Sequence, residues 1–385
     1  RNYSINIKAL EKSYKMELHK IIQGVNIDKA LDKAFFTNKD LSFFHKYRVL
    51  KNSPIKNFEI DIEFDEDYIE GFIKDIQNDI NRQPVNSFIE ETLDGDINIV
   101  DDIKGVELKS RALKELIKET VKKETFQLSE IELPIKETNA SINADMLKDI
   151  DCKIASHSIS FASAPLGRIR NIELSSEAIN GILLSSNEVF SFNDVVGERT
   201  KDRGYMKAPV LEDGNYKSGL GGGICLVSST LYNAVLKSGI IPIERRNHSL
   251  PASYIELGLD ATVSWGTIDF KFTNTLEYPI YIKSYIEDMA LYVDLYSNSA
   301  LNKKEYIIKS NIYEEIGRET QIIEDEGLEQ GKRKVVQEGS NGYRVKTIRI
   351  TYEEGKMINT ETISYDYYKP IDKIIKEGTR IIKKE

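Results

Sequence analysis

Apolar and polar residues alternate through "NFEIDIEF", which puts Phe58, Ile60, Ile62 and Phe64 on one face and predicts a strand. The period then changes. Behind Asp65, a residue suited to an N-cap, Tyr68, Ile69, Phe72, Ile73, Ile76 and Ile80 recur at helical spacing, and the helix is expected to stop before Pro84. "VNSFIEETLDGDINIV" reads as a hairpin about Asp94-Gly95. "SRALKELIKETVKK" predicts a second amphipathic helix with Leu113, Leu116, Ile117 and Val121 inward, and "TFQLSEIELP" a further strand ending at Pro134. Residues 1 to about 50 read as helical and polar, with "NIDKALDKAFF" amphipathic. The order strand, helix, hairpin, helix, strand suggests an α+β module over residues 1–150, and the polar "KETNASINADMLKDI" reads as a boundary.

The texture changes after that boundary. From Cys152 to about Asp294 glycines cluster and short strands dominate, with a mixed α/β domain expected over 151–300. Beyond Asn302 the chain is charged and β-patterned. Val345, Ile348 and Ile350 alternate before Glu354-Gly355, and Ile358, Thr360 and Ile363 after it, so 301–385 is expected to be a small all-β module. The fold class is thus α+β and multidomain.

Composition narrows the function. The chain has 385 residues, a formal net charge of -9 and a pI of about 5.3. An acidic chain without a clustered basic face is a poor partner for phosphate backbones, so nucleic acid is disfavoured. No apolar run reaches the roughly 18 residues of a membrane span. The start "RNYSINIKAL" carries no initiator Met or signal sequence and reads as a trimmed or mature form. Two cysteines, Cys152 and Cys225, allow at most one bridge, a minor staple for this length. Four histidines without CxxC or HExxH spacing do not gather into a metal site.

The rare cysteine draws attention by its setting, "GLGGGICLVSSTLYNAVLKSG". Val227, Leu231, Ala234 and Val235 mark one helix face, Lys237 lies in the last turn and Gly239 closes it. Cys225 therefore falls at a helix N-terminus, where free N–H groups and the helix dipole favour a thiolate. Gly221, Gly222 and Gly223 permit a tight turn, and their N–H groups with that of Cys225 form a candidate oxyanion hole. A phosphate loop is disfavoured because no Lys follows the glycines. The bland alternative is a small buried cysteine behind a structural turn. Ser228 and Ser229 are rival nucleophiles or substrate-binding hydroxyls, although inside a helix such hydroxyls more often bond the preceding turn.

His248, in "IERRNHSLP", is the nearest histidine downstream and lies in a loop before Pro251. A Cys–His pair suits acyl transfer, with His taking the thiol proton before the thiolate attacks a carbonyl. His19, His45 and His157 read as surface or structural. Asp260 and Asp269 are candidate orienters of His248, and turn or strand-end roles compete for both. Arg245 or Arg246 is a candidate to pair with a substrate carboxylate. Trp265, the sole tryptophan, is a candidate groove residue, with core packing the commoner role.

Five blocks in order, "FSFNDVVGERTKDRGY", "GGGICLVSSTLYNAVL", "ERRNHSLP", "DATVSWGTIDFKFTN" and "YPIYIKS", resemble the VanW domain of bacterial cell-surface proteins over about Arg168 to Ser284. The C-terminal module resembles the small β-rich domain named for its five glycines. The N-terminal region is similar in architecture to the peptidoglycan-binding module often found ahead of L,D-transpeptidase domains. The resemblance implies a secreted or membrane-anchored wall protein of a Gram-positive bacterium. Some VanW-domain proteins are L,D-transpeptidases with a cysteine nucleophile, which carries over to Cys225, with His248 as base and then acid. The implied partners are peptidoglycan stem peptides, a donor tetrapeptide and a diaminopimelate acceptor, and carbapenems are expected to acylate the thiolate. No cofactor or metal is required. The family pattern usually has Gln after the cysteine, and here Leu226 stands in its place. Rival functions are a cysteine peptidase or carboxypeptidase hydrolysing stems, and a non-catalytic wall-binding protein.

Overall fold

A computed structural model describes residues 3–381 except 10, 53–55, 57, 93–95, 124–129 and 213–214, and gives the backbone alone for 211, 212 and 215–217. The chain forms two compact units, Arg1–Ser87 with Asp101–Asn143, and Phe88–Val100 with Ala144–Glu385.

In the first unit, Ser4–Ala9 pairs antiparallel with Lys12–Glu17 and parallel with Glu130–Glu132. This corrects the helical reading of the N-terminus. Ile5, Ile7 and Met16 alternate with polar neighbours and bury one face, a period-2 pattern masked by the surrounding charge. Helices form at Leu18–Ile21, Asp28–Phe36 and Phe43–Asn52. The helix Glu66–Ile80 begins as expected, with Asp65 accepting from the Tyr68 N–H at 2.9 Å, and packs Ile69, Ile73, Ile76 and Ile80 inward. Ser110–Lys122 packs against the same core through Leu113, Ile117 and Val121, while Leu116 is exposed. Ile62 and Phe64 lie in the strand Asp61–Phe64, which starts after Phe58 and Ile60.

In the second unit, Phe88–Glu91 and Ile97–Val100 form the expected hairpin, and its Asp94-Gly95 turn lies outside the described residues. A four-stranded antiparallel sheet runs in the order Cys152–Ser160, Ala290–Ser297, Ile280–Glu287, Ile182–Leu184. Two helices, Leu166–Ile179 and Ile224–Lys237, share its core. The first was not legible as a helix because half its buried face is polar, Asn171, Ser175 and Ser176. The C-terminal strands make two three-stranded sheets. In one, Gly342–Glu353 is central between Lys304–Ile316 and Lys356–Tyr368, with Glu354-Gly355 at the turn at φ 48 and 75. In the other, Lys373–Arg380 lies between Thr320–Glu329 and Arg333–Gln337. Cys152 and Cys225 are both free thiols. Among the described residues no helix is long and apolar enough to cross a membrane.

Candidate active site

The helix Ile224–Lys237 is buried from Ile224 to Leu236 at every position except Cys225, which is half-buried. A helix this enclosed needs partners for its polar side chains, and they are found on one neighbouring segment. Ser228 Oγ donates to Ala261 O at 2.6 Å. Ser229 Oγ donates to Cys225 O at 2.6 Å and accepts from Ala261 N at 2.9 Å. Asn233 Nδ2 donates to Leu259 O at 2.7 Å. These bonds fasten the helix to residues 259–261 on either side of Asp260. They correct the reading of Ser228 and Ser229 as substrate-binding candidates, because both hydroxyls are consumed in the core.

The three glycines are required by geometry. Gly221 has φ +81 and Gly223 φ +112, the left-handed region. A Cβ on Gly222 would lie 2.6 Å from Pro209 O, and one on Gly223 2.8 Å from Arg168 Cγ. Asn171, from the polar face of Leu166–Ile179, holds this turn by donating to Gly222 O at 3.0 Å and Met206 O at 2.9 Å. Ile224 N donates to Gly221 O at 3.3 Å and Leu226 N to Gly223 O at 3.0 Å. The N–H groups of Gly222, Gly223 and Cys225 have no acceptor among the described residues, and all three residues line a cleft of about 970 Å³.

His248 lines the same cleft as Cys225 and is near enough for each side chain to shift the other's proton affinity. Its Nδ1 donates to Asp260 Oδ2 at 2.5 Å, and its backbone N donates to the same oxygen at 2.6 Å. Asp260 Oδ1 accepts from Tyr368 Oη at 2.5 Å and Arg245 Nη2 at 3.3 Å. With Nδ1 committed to the carboxylate, Nε2 is the nitrogen left for sulfur. Cys225 Sγ also lies 3.6 Å from Val263 O. Asp269 is elsewhere: it accepts from Ser191 Oγ at 2.6 Å and Asn193 N at 2.9 Å, at the start of the short helix Phe192–Val196.

The charges favour an ion pair. Burial alone pushes the Cys225 thiol up, but the hydrogen bond and charge of His248, then Val263 and the Arg199 charge, bring it below its ordinary value. Burial pulls His248 down, yet Asp260 and the Cys225 sulfur together raise it to about 10. Burial likewise raises Asp260, and His248 and Arg245 more than reverse this. Such a constellation can hold a thiolate beside an imidazolium at neutral pH, the state that attacks an acyl carbon.

Arg245 is not a substrate ligand by placement. Nη1 meets Asp366 Oδ1 at 2.5 Å, Nη2 meets Gly258 O at 3.2 Å and Asp260, and Nε donates to Asp260 O at 2.7 Å. Arg246 is exposed and lines the cleft. Trp265 is 44% exposed and also lines it, so the core-packing alternative does not hold. Leu226 is a core residue at 1% exposure, which accounts for an apolar side chain after the cysteine.

Arg199 carried no role in the sequence reading, although it lies in the block "FSFNDVVGERTKDRGY". It lines the cleft with its guanidinium 5.8 Å from the Trp265 ring. Nη1 donates to Asn193 Oδ1 at 2.8 Å, whereas the buried Nη2 has no hydrogen-bond partner among the described residues.

The comparisons agree with this domain order. Residues 167–296 match the family model "VanW like protein", 308–380 match "G5 domain", and 14–127 match "Putative peptidoglycan binding domain". The chain is 35% identical over 234 residues to the uncharacterized protein YoaR of Bacillus subtilis (strain 168), covering 60% of this chain and 75% of YoaR. It is 30% identical over 135 residues to the vancomycin B-type resistance protein VanW of Enterococcus faecalis (strain ATCC 700802 / V583), covering 34% of this chain and 49% of that protein. Two solved structures are similar: the IgA1 protease G5 domain, at 28% identity and TM-score 0.17, over 20% of this chain and 95% of that one, and HP0197-G5, at 25% and 0.14, over 19% and 99%. With its domain order matched and three quarters of YoaR covered at this identity, the chain belongs to the VanW-like protein family.

Proposed function

We propose that this protein is a cysteine acyltransferase of the cell wall, an L,D-transpeptidase that cross-links peptidoglycan stem peptides. The observation that carries the reading is Cys225 at the N-terminus of its helix, lining one cleft with a histidine whose Nδ1 is held by the buried Asp260. The family and the N-terminal peptidoglycan-binding match supply the cell-wall context. A surface location, behind a signal or anchor, is part of the same proposal.

The thiolate of Cys225 attacks the carbonyl carbon of the bond between diaminopimelate and the terminal D-alanine of a tetrapeptide. The oxyanion is held by the unpaired N–H groups of Gly222, Gly223 and Cys225. Protonated His248 gives its proton to the departing D-alanine amine, and a thioester remains. Neutral His248 then takes a proton from the side-chain amine of a second diaminopimelate as it attacks. The new amide forms and the thiolate is released. The cleft, about 970 Å³, lies at the upper end of the roughly 300–1,000 Å³ range of ligand sites and suits a donor with an acceptor.

Arg199 joins Arg246 at the cleft as a candidate for the role offered to Arg245 or Arg246, its guanidinium binding the carboxylate of the terminal D-alanine. Arg199→Ala is expected to raise KM about 10- to 100-fold with a smaller change in kcat, from the loss of a charge-assisted hydrogen bond. Steady-state D-alanine release checks this, and an unchanged KM would remove Arg199 from substrate binding.

The function is tested by incubating the protein with a disaccharide tetrapeptide and a D-amino-acid acceptor. Mass spectrometry is expected to find a stem thioester on Cys225 and an exchanged product. Hydrolysed tripeptide alone would favour the carboxypeptidase reading. A Cys225 that alkylates but acquires no adduct from stem peptide or carbapenem would favour a wall-binding protein.

A further inference from the structure

His248 and Asp260 sit on residues 245–260, a stretch with little regular secondary structure. An orienting pair on such a segment must be fixed from outside. The nucleophile helix supplies one side, through Ser228, Ser229 and Asn233. The other side comes from the C-terminal G5 module.

Tyr368, at the end of the strand Lys356–Tyr368, is fully buried. Its hydroxyl donates to Asp260 Oδ1 at 2.5 Å and accepts from Gly258 N at 2.6 Å. Asp366, two residues earlier on the same strand face, meets Arg245 Nη1 at 2.5 Å, and Arg245 in turn holds Asp260. The backbone is tied as well. Lys369 N donates to Ser249 O at 2.8 Å, and Asn247 Nδ2 donates to Tyr367 O at 3.0 Å. Thr347 Oγ1 donates to Gly258 O at 3.2 Å, and Ser310 Oγ donates to Leu257 O. Gly258 itself has φ +88, and a Cβ there would lie 2.5 Å from Thr347 Oγ1, so this contact is built for close approach. Tyr367 points the other way and lines the cleft.

Packing between two domains needs apolar burial and some polar rim. It does not need a tyrosine hydroxyl shared between the backbone and the one carboxylate that holds the histidine. Asp260 accepts four hydrogen bonds, and one comes from the G5 module directly while another comes through an arginine that the module anchors.

We propose that the C-terminal G5 module is part of the catalytic apparatus, with Tyr368 and Asp366 as positioning residues that set the Asp260–His248 pair and through it the Cys225 thiolate. The kcat arm of the test rests on the acyl-transfer reading of Cys225, whereas the thiolate arm needs no substrate and stands if that reading fails.

The full chain carrying Tyr368→Phe is compared with wild type by the rate of Cys225 alkylation with iodoacetamide across pH. Removing the Tyr368 donor destabilises the Asp260 carboxylate, so Asp260 protonates at higher pH and releases His248. The acid limb of alkylation is expected to move to higher pH, and kcat for D-alanine release to fall about tenfold with KM unchanged. Asp366→Asn keeps the side-chain volume but removes a negative charge that repels Asp260 and shares Arg245 with it, so it is expected to move the acid limb the other way, to lower pH, by a smaller amount. It serves as the test should Tyr368→Phe fail to fold. A folded variant with the wild-type alkylation profile, whatever its melting temperature, would overturn the proposal.

Discussion

Cys225→Ala is expected to abolish stem-peptide turnover, with a loss of at least about 10^4-fold, because a nucleophile acting as one unit with its base leaves only binding and the oxyanion site when removed. The substitution is mild structurally. Cys225 is the one residue between Ile224 and Leu236 that is not fully buried, and its Sγ lies 3.6 Å from Val263 O. Ala is also the better helix former. The glycine turn, Asn171 and the serine bonds to Ala261 are untouched, so melting temperature is expected to stay within a few degrees of wild type. Binding of tetrapeptide, measured calorimetrically on the variant, is expected to persist because Arg199 and Trp265 remain in the cleft. Turnover by a folded Cys225→Ala protein at more than a few per cent of wild type would remove the thioester route. Cys225→Ser is expected to fare little better than Ala. The activation here is the lowered proton affinity of sulfur beside His248, and a hydroxyl stays protonated in the same place.

How much of this was legible depends on the range of the forces involved. The helices Glu66–Ile80 and Ser110–Lys122 could be read because each buries an apolar stripe at a 3.6 period, a local signal. The strands Ser4–Ala9 and Lys12–Glu17 could not, because charge on the exposed face hid a short alternation. The helix Leu166–Ile179 was hidden by its polar core, Asn171, Ser175 and Ser176, and the partners of Asn171 and Ser176 lie far along the chain. In the site the same division appears. Cys225 stood out by its own neighbours and His248 by a short motif, whereas Asp260 and Asp269 were equal candidates until the hydrogen bond to His248 Nδ1 separated them. Arg199 escaped because an arginine in a polar block looks solvated until it is seen half-buried at the wall of the cleft. Tyr368 was beyond reach for a different reason. It meets Asp260 across 108 residues, from a separate module whose alternation predicted only that the strand would form. Between Arg245 and Arg246 the sequence offered no choice, because the two acidic partners that occupy Arg245 are 15 and 121 residues away.

The pH dependence follows from the same network. The competent form pairs a Cys225 thiolate with a protonated His248. Activity therefore rises with pH as the thiol, held below its ordinary value, loses its proton. It falls as His248 loses its own, near the value of about 10 to which Asp260 and the Cys225 sulfur raise it. Asp260→Asn removes the negative charge but keeps the shape. Without that charge His248 becomes easier to deprotonate, so the alkaline limb of kcat/KM moves to lower pH. The thiolate loses part of its cationic partner, so the acid limb moves up, and the plateau narrows from both sides. The amide adds a geometric conflict. Asp260 accepts from His248 Nδ1 and N on one oxygen and from Tyr368 and Arg245 on the other, and an NH2 group on either side faces donors. A buried donor left unpaired costs about 1–3 kcal/mol, so the variant is expected to melt at a lower temperature as well. At the optimum, kcat is expected to fall by about 10^2- to 10^4-fold, since the histidine loses both its orientation and its proton affinity. Full pH–rate profiles for D-alanine release separate this from simple destabilisation. Unfolding lowers the active fraction at every pH alike, whereas loss of the orienting charge moves the limbs, and a variant with both limbs at wild-type positions would show that Asp260 holds the loop without tuning His248.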